Sequence, residues 1–423
     1  MIKKTIYVLI ASLFLVVTII FLSINFINST NPEKAALIKN LLPNKLKSLI
    51  KEKVCLYQYY VPEFGNETIF PQTQFLKLNY SETKVKGLES RKPYFGDKKR
   101  KGQKVVPFYI ETFDDKNILI AINGTTLFYD YLNFFEDKTV KNFEIKNNLP
   151  KNITIDDSML YKNKIFISFR DRNKSCDNRK IYLADINFNF LNFEEFYSHG
   201  STLKCETPYG VGGGRMTLYD DNGNQAMIIS TNYPNNENHS LLKNYNKYKE
   251  TIMLLIDLET KKSRPFTSGH RNPQGLLVNE KNIIIETEHG PRGGDEINKI
   301  IEGNHYGWPS RSYGEGSENH VSNHSKYGFV EPIYAFVPSI AISQIIQVPI
   351  EFSPKWPNSY LVTTLNGVSI YRIVFDKNYS RIITMEKMRI GKRIRDIAYN
   401  KKYNFFLLAL ENESGSIGYI TAN

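Results

Sequence analysis

Three short motifs crowd into residues 269–309: GHRNPQG at 269–275, EHGPRGGDEIN at 288–298 and NHYGWP at 304–309. Taken as bare residues, they read as a strand over Asn282–Glu286 between two loops dense in glycine, proline and charge. Outward from this segment, short apolar runs recur at Ile118–Ile122, Ile165–Phe169, Ala226–Ser230 and Met253–Ile256. They continue at Ile283–Ile285, Tyr360–Thr364, Ser369–Val374 and Phe405–Leu410. Asn123-Gly124, Asp221-Asn222-Gly223 and Asn366-Gly367 supply turn chemistry beside them. No long amphipathic helical pattern occurs beyond Val54, so the chain reads as an all-β sandwich, barrel or propeller. Residues 54–423 are too many for one sandwich and suit a propeller with blades longer than the common ~40–50-residue repeats. No internal repeat fixes the blade number.

The composition, 41% hydrophobic and 23% charged over 423 residues, allows a large core and excludes a polytopic membrane protein. A net charge of +12 directs attention to anionic partners. The densest basic run, Lys98 to Lys101 with Lys104, reads as a solvated loop. No nucleic-acid motif accompanies it, so nucleic acid is not an expected partner.

At the N-terminus Lys3 and Lys4 precede an apolar stretch from about Ile6 to Ile27, long enough to span a bilayer and lacking a small-residue cleavage site. Residues 1–28 are expected to be an uncleaved transmembrane signal anchor with the lysines on the cytoplasmic side. The rest of the chain would then face the periplasm from the inner membrane of a Gram-negative cell. Residues 29–53 read as a stalk or short helix, with Leu37, Ile38, Leu41 and Leu42 before Pro43 and Leu46, Leu49 and Ile50 after it. Cys55, Cys176 and Cys205 have no metal-ligand spacing, although Cys176 and Cys205 could pair in an oxidising compartment.

The chemistry belongs to residues 269–309. Backbone carbonyls beside Asp295 and Glu296 are the hard oxygen ligands that Ca²⁺ takes. Arg271 suits a bidentate pair with a carboxylate. For any one of these residues a structural salt bridge in a tight turn is an equally good account; for the whole constellation it is not.

The three motifs resemble those of the glucose/sorbosone dehydrogenase family, the soluble sugar dehydrogenases that use pyrroloquinoline quinone (PQQ). The resemblance continues at Val337-Pro-Ser-Ile-Ala341, from Trp356 to Ile373, and at Arg393-Ile-Arg-Asp396. Upstream, Gly213-Gly-Arg-Met216 resembles the family's glycine-arginine strand. Residues 205–423 are covered well, and 54–204 only by a general strand pattern. The resemblance implies a six-bladed β-propeller over 54–423, with PQQ on one face and Ca²⁺ bridging it to the protein. Arg271, Asn272 and Gln274 would contact PQQ from one side, and Arg393 and Arg395 from the other. His289 would add a polar contact. The carbonyls of Gly290 and Pro291 would ligate the cofactor's calcium, and Glu296 and Tyr306 match a second, structural calcium region. PQQ carries three carboxylates, for which guanidinium forks are suited.

One position departs from the family. Its general base is a histidine four residues before the arginine of the glycine-arginine motif; counting back from Arg215 reaches Val211, which cannot accept a proton. Asn366 stands where the soluble glucose dehydrogenases have a lysine, and Val337 where the family has an aromatic wall. His199 would reach the site only if its loop folded over. His270 reads as a core or turn histidine. Two readings follow. One is a PQQ-dependent aldose dehydrogenase passing electrons to a membrane acceptor. The other is a catalytically impaired propeller that binds a carbohydrate or protein ligand.

Overall fold

The computed structural model describes residues 76, 78–85, 107–113, 116–121, 127–133, 139–150, 153–173, 176–198, 210–211, 213–231, 233–234, 252–314, 323–412 and 415–422. The expected anchor and stalk, the basic run, His199, Cys55, Cys205 and the side chain of Cys176 lie outside them. Among the described residues no helix is long and apolar enough to cross a membrane.

The first described strand, β1 (Leu78–Lys84), belongs to the last sheet. The first sheet is the meander β2 (Phe108–Phe113), β3 (Lys116–Ala121), β4 (Leu127–Asn133) and β5 (Thr139–Asn147). The second begins with β6 (Ile153–Tyr161), β7 (Lys164–Asn173) and β8 (Cys176–Asp185). β9 (Phe190–Leu191) then pairs in parallel with β5, and β10 (Glu194–Ser198) completes the second sheet beside β8. β11 (Gly210–Val211) precedes the third sheet, whose strands β12 (Met216–Asp221) and β13 (Asn224–Ser230) are followed by β14 (Tyr233–Pro234), the partner of β11. β15 (Ile252–Asp257) and β16 (Ser263–Ser268) complete that third sheet. The fourth is β17 (Pro273–Val278), β18 (Ile284–Glu288), β19 (Asp295–Ile300) and β20 (Tyr334–Phe336). The fifth is β21 (Ile342–Gln347), β22 (Ser359–Thr364), β23 (Ser369–Phe375) and β24 (Ile382–Arg389). The last is β25 (Arg393–Asn400), β26 (Phe405–Glu411) and β27 (Ser416–Ala422), closed by β1 along β27.

The inner strands β2, β6, β12, β17, β21 and β25 touch in that order, and β25 returns to β2. The architecture is an all-β propeller. Its core lies between sheets. β26 sends Phe405, Leu407 and Ala409 to the first sheet, beside Phe108 and Ile110, and sends Phe406, Leu408 and Leu410 to the fifth, beside Leu361 and Ile370. β13 divides likewise, Met227 and Ile229 toward the second sheet and Ala226 and Ile228 toward the fourth. Successive side chains of a strand point to opposite faces, so a strand sandwiched between two neighbouring sheets is favoured to be apolar on both faces.

The strand expected at Asn282–Glu286 lies at Ile284–Glu288, and the flanking stretches are less loop-like than their composition implies. Asn279 Oδ1 accepts the amides of Lys281 and Ile283, and Asn282 takes φ +59°, so the turn extends to Ile283. Pro273–Val278 and Asp295–Ile300 are strands of the same sheet.

Close approach of inner strands is visible at Gly275, where an added Cβ would lie 2.5 Å from Thr287 Oγ1 and 2.6 Å from the Ser343 carbonyl oxygen. Gly275→Ala is expected to cost ~1–3 kcal/mol through overpacking. Urea unfolding measures this, and unchanged stability would mean that β17 and β21 are not in such contact.

Candidate functional site

The inner strands leave their axial edges unpaired, and polar side chains close every junction between neighbours. Ser158 Oγ donates to Glu111 (2.9 Å), and the Met216 amide donates to Asp157 (2.8 Å). Arg215 Nε donates to the Gln274 carbonyl (2.6 Å), and the Leu276 amide to Gln344 (3.2 Å). Ser343 Oγ donates to the Ile394 carbonyl (2.6 Å), and the Ile110 amide to Asp396 (3.0 Å).

Arg215 sits where these junctions converge. Its Nη1 donates to Asp157 (2.7 Å) and Asp396 (3.3 Å), and its Nη2 to the Arg395 carbonyl (3.3 Å). The guanidinium lies 4.8 Å from the ring centre of Tyr109. Burial outweighs the arginine at Asp157 and pushes its carboxyl up to about 6. Asp396 is also raised by burial, and Glu111 is raised well above the ordinary carboxylate range by burial and the two aspartates.

The expected cofactor residues come together on one side of this plug. Arg393 Nε (3.0 Å) and Arg395 Nε (2.5 Å) both donate to the buried carboxylate of Glu411. Burial raises the Glu411 pKa, but the two arginines overcome it and hold the group below its ordinary value. Arg395 Nη1 donates to Gln274 Oε1 (3.0 Å), and Gln274 Nε2 donates to Asn272 Oδ1 (2.8 Å). Asn272 Nδ2 lies 3.3 Å from His289 Nδ1, while His289 Nε2 lies 2.6 Å from the Ile342 carbonyl. This arrangement makes His289 a neutral imidazole that donates through Nε2, and burial lowers its pKa. Thus Arg271's neighbours on β17 and the arginines of β25, over a hundred residues away in sequence, form one hydrogen-bonded line.

Arg271 itself points its Nη1 at the carbonyls of His289 and Gly290, 3.0 Å from each, and lies 5.2 Å from the ring centre of Trp308. The Gly290 carbonyl, expected as a calcium ligand, therefore already accepts one hydrogen bond and keeps a second lone pair. Pro291 follows in the same loop, with its Cδ 2.8 Å from where a Cβ on Gly314 would stand. Val211 pairs through its backbone with Tyr233, and its side chain lies outside the described residues. Val337 is 56% exposed.

Behind Arg271 the β18–β19 hairpin carries an acidic cluster. Glu288 stands opposite Glu296, and Glu286 opposite Asn298. Asn298 Nδ2 is shared among Glu286 (3.1 Å), Glu296 (3.3 Å) and Glu288 (3.4 Å). Burial raises Glu286 and Glu296 well above the ordinary carboxylate range. Glu288 is held low despite burial, by His270 and the amides of Arg271 and Asn272. Tyr306, expected beside Glu296 in a calcium region, lines a small cavity with Glu288 and Glu296. Its hydroxyl points elsewhere, donating to the Lys299 carbonyl (2.7 Å) and accepting the Ile301 amide (2.8 Å), so only its carbonyl is free for a cation.

Sequence reasoning missed Glu411, Asp157 and Tyr109, which carry no local signal. Asp396 lay within a quoted motif without a role. Glu286 and Glu288 were readable as two carboxylates two apart on one strand face.

Residues 255–418 match the family model described as Glucose / Sorbosone dehydrogenase, the family that the motifs resemble. Aldose sugar dehydrogenase YliI of Escherichia coli is 33% identical over 138 residues, covering 30% of this chain and 36% of that protein. Quinoprotein glucose dehydrogenase B of Acinetobacter calcoaceticus is 32% identical over 189 residues, 39% of this chain and 37% of that one. The chain spans little more than a third of the length of these curated relatives. Among solved structures, the soluble aldose sugar dehydrogenase of E. coli in its apo-form superposes with a TM-score of 0.61 at 16% identity, covering 82% of this chain and 100% of that one. The PQQ-bound aldose sugar dehydrogenase of Streptomyces coelicolor gives 0.53 at 14%, with the same coverage. At these identities the structures speak for the fold alone.

Asp157→Asn removes one axial titration. The stability of the native chain relative to this variant is expected to fall as pH rises from about 4, the ordinary aspartate range, to about 6. The native state binds the proton more tightly than the unfolded chain over that window. Urea unfolding at several pH values measures the difference; a flat or rising difference would indicate an aspartate ionised throughout.

Proposed function

We propose that the chain is a PQQ-dependent sugar (aldose) dehydrogenase-like oxidoreductase on a six-bladed β-propeller. The observation that carries this reading is the hydrogen bond between Gln274 and Arg395, which joins the two separate segments expected on either side of the cofactor. The residues fit a multiply anionic ligand. Arg393 and Arg395 share the single carboxylate of Glu411, so the pair keeps a positive charge beyond its partner. Arg271, lowered by burial, adds a third guanidinium. These arginines would hold the carboxylates of PQQ, and the carbonyls of Gly290 and Pro291 would offer oxygens to Ca²⁺. Glu296 with the Tyr306 carbonyl would suit a second calcium. When bound, PQQ supplies the two-electron oxidant for a sugar hydroxyl. Anchorage by residues 1–28 in the inner membrane, with the propeller in the periplasm and a membrane electron acceptor, belongs to the same proposal.

The chain's own residues must still accept the hydroxyl proton, and Val211 offers no base. That position, together with Asn366 and Val337, favours the second reading, a propeller that binds a carbohydrate or protein without turning it over.

Calorimetric titration of the full-length chain with PQQ, with and without Ca²⁺, tests the proposal. Tight calcium-dependent binding is expected, weakened at least ~100-fold by Arg393→Ala with Arg395→Ala, since two charge-assisted contacts are lost. No binding by the folded wild type would leave the ligand-binding reading. Val211→His is expected to raise aldose oxidation, measured with a dye acceptor, by ~10²-fold or more. No gain in a PQQ-loaded protein would mean that position 211 is not the place of the base.

A further inference from the structure

The turns at the two ends of the fourth and fifth sheets differ in charge. At the end away from the cofactor face, acids and bases are interspersed. Glu280 and Lys281 lie between β17 and β18, Glu302 follows β19, and Asp376, Lys377 and Arg381 lie between β23 and β24. At the cofactor end, the stretches 291–294, 337–341, 365–368 and 389–392 hold Arg292, Arg389 and Lys392 and no carboxylate.

These four stretches touch in order. A Cβ on Gly293 would stand 3.6 Å from Val337 Cγ1. The Ile340 carbonyl accepts the amides of Asn366 (3.1 Å) and Gly367 (2.7 Å), and the Val368 carbonyl those of Ile390 (3.1 Å) and Gly391 (2.9 Å). The arc so formed ends beside Arg393. Along β24, Met385 and Lys387 face the fourth sheet, with Lys387 5.8 Å from the ring centre of Tyr371, so Arg389 projects the same way. Arg292, Arg389 and Lys392 are exposed. Among the described residues neither arginine makes an ion pair, and Lys392 has only Glu82 at 4.0 Å. Asp295, bonded to Ser339, is buried, and its oxygens accept that hydroxyl and the Gly290 and Ile342 amides. Burial, and then the neighbouring Arg389, lower the pKa of Lys387, so like charges crowd this end of β24.

We propose that this arc binds a saccharide chain bearing repeated carboxylates, a polyuronate, through Arg292, Arg389 and Lys392, and presents it to the adjoining cofactor face. The proposal rests on reading that face as a sugar site. Guanidinium forks match carboxylates, but an exposed ion pair contributes little alone. A single uronate would therefore bind weakly, whereas a chain that engages several cations at once gains from each added contact. Val337 and Pro338, both exposed, offer the sugar rings an apolar surface between the cations. The chain's net charge of +12 draws such a polyanion in.

The test is calorimetric titration of the full-length chain with polygalacturonate, and with neutral dextran of equal length, at low and at physiological salt. The wild type should bind polygalacturonate, more weakly as salt rises, and should not bind dextran. Arg292→Gln with Arg389→Gln and Lys392→Gln should weaken binding at least ~10-fold. The same charge removed at the far end, by Lys262→Gln with Lys281→Gln and Lys401→Gln, should leave it unchanged. Equal loss in both variants would mean attraction to the net charge alone and overturns the proposal. A wild type that binds no polygalacturonate, or binds dextran as well, overturns it too. Displacement by an equal concentration of polyglutamate would make the arc a docking face for an acidic protein, and the saccharide would fall. PQQ titrated on the same samples separates the two readings: polygalacturonate bound without PQQ keeps the arc and removes only the cofactor.

Discussion

One guanidinium organises the axis. Arg215, on the approach to β12, reaches Asp157 of β6, the Gln274 carbonyl of β17, Asp396 and the Arg395 carbonyl of β25, and the ring of Tyr109 on β2. Five of the six inner strands thus meet at a single buried cation. Such a charge is costly to desolvate, and its worth lies in being fully satisfied: removing one partner from a buried pair costs ~3–5 kcal/mol, because the other charge is stranded. Asp157 and Asp396 do double duty, since their second oxygens accept the Met216 and Ile110 amides at the open edges of their neighbours. Electrostatics and backbone satisfaction are therefore the same set of atoms, and the ring cannot relax one without exposing the other.

The candidate cofactor face stands on this plug. Gln274 gives its carbonyl to Arg215 and its side-chain oxygen to Arg395, so the floor and the arginine pair share a residue. Glu411 then holds Arg393 and Arg395 in parallel. A pair of arginines two apart on a strand would repel if left alone; the buried carboxylate on the neighbouring strand fixes both forks while leaving the pair cationic. Preorganisation of this kind limits the side-chain entropy lost when an anion arrives.

What was legible in the sequence follows from where each strand lies. The eight apolar runs fall on β3, β7, β13, β15, β18, β22, β23 and β26, and each is an interior strand of its sheet. Strands in the interior of a sheet are packed against neighbouring sheets on both faces, which favours an unbroken apolar run. The outer strand β1 is largely exposed. The inner strands carry Asp157, Gln274, Ser343 and Asp396 among their apolar residues, because they line the axis, and this breaks the pattern that would reveal them. The motif residues were legible as a family likeness, whereas Glu411 closes a run that reads simply as a hydrophobic strand. The pairing of Asp157 with Arg215, 58 residues apart, is a product of ring closure. No local rule finds it.

The two charged regions are joined by Glu288. One oxygen belongs to the acidic hairpin, 3.4 Å from Asn298 Nδ2; the other accepts the amides of Arg271 and Asn272. A carboxylate is a rigid fork, so a displacement of one oxygen is transmitted to the other. The placement of Asn272 in turn sets Gln274 and, through it, Arg395. The charge state of the hairpin thus bears on the geometry of guanidiniums on both sides of the face. This coupling gives a physical reason for keeping an acidic hairpin directly behind a basic site. The two are separated enough for Arg271 to turn away from the carboxylates, yet they share the one side chain that fixes where its backbone lies.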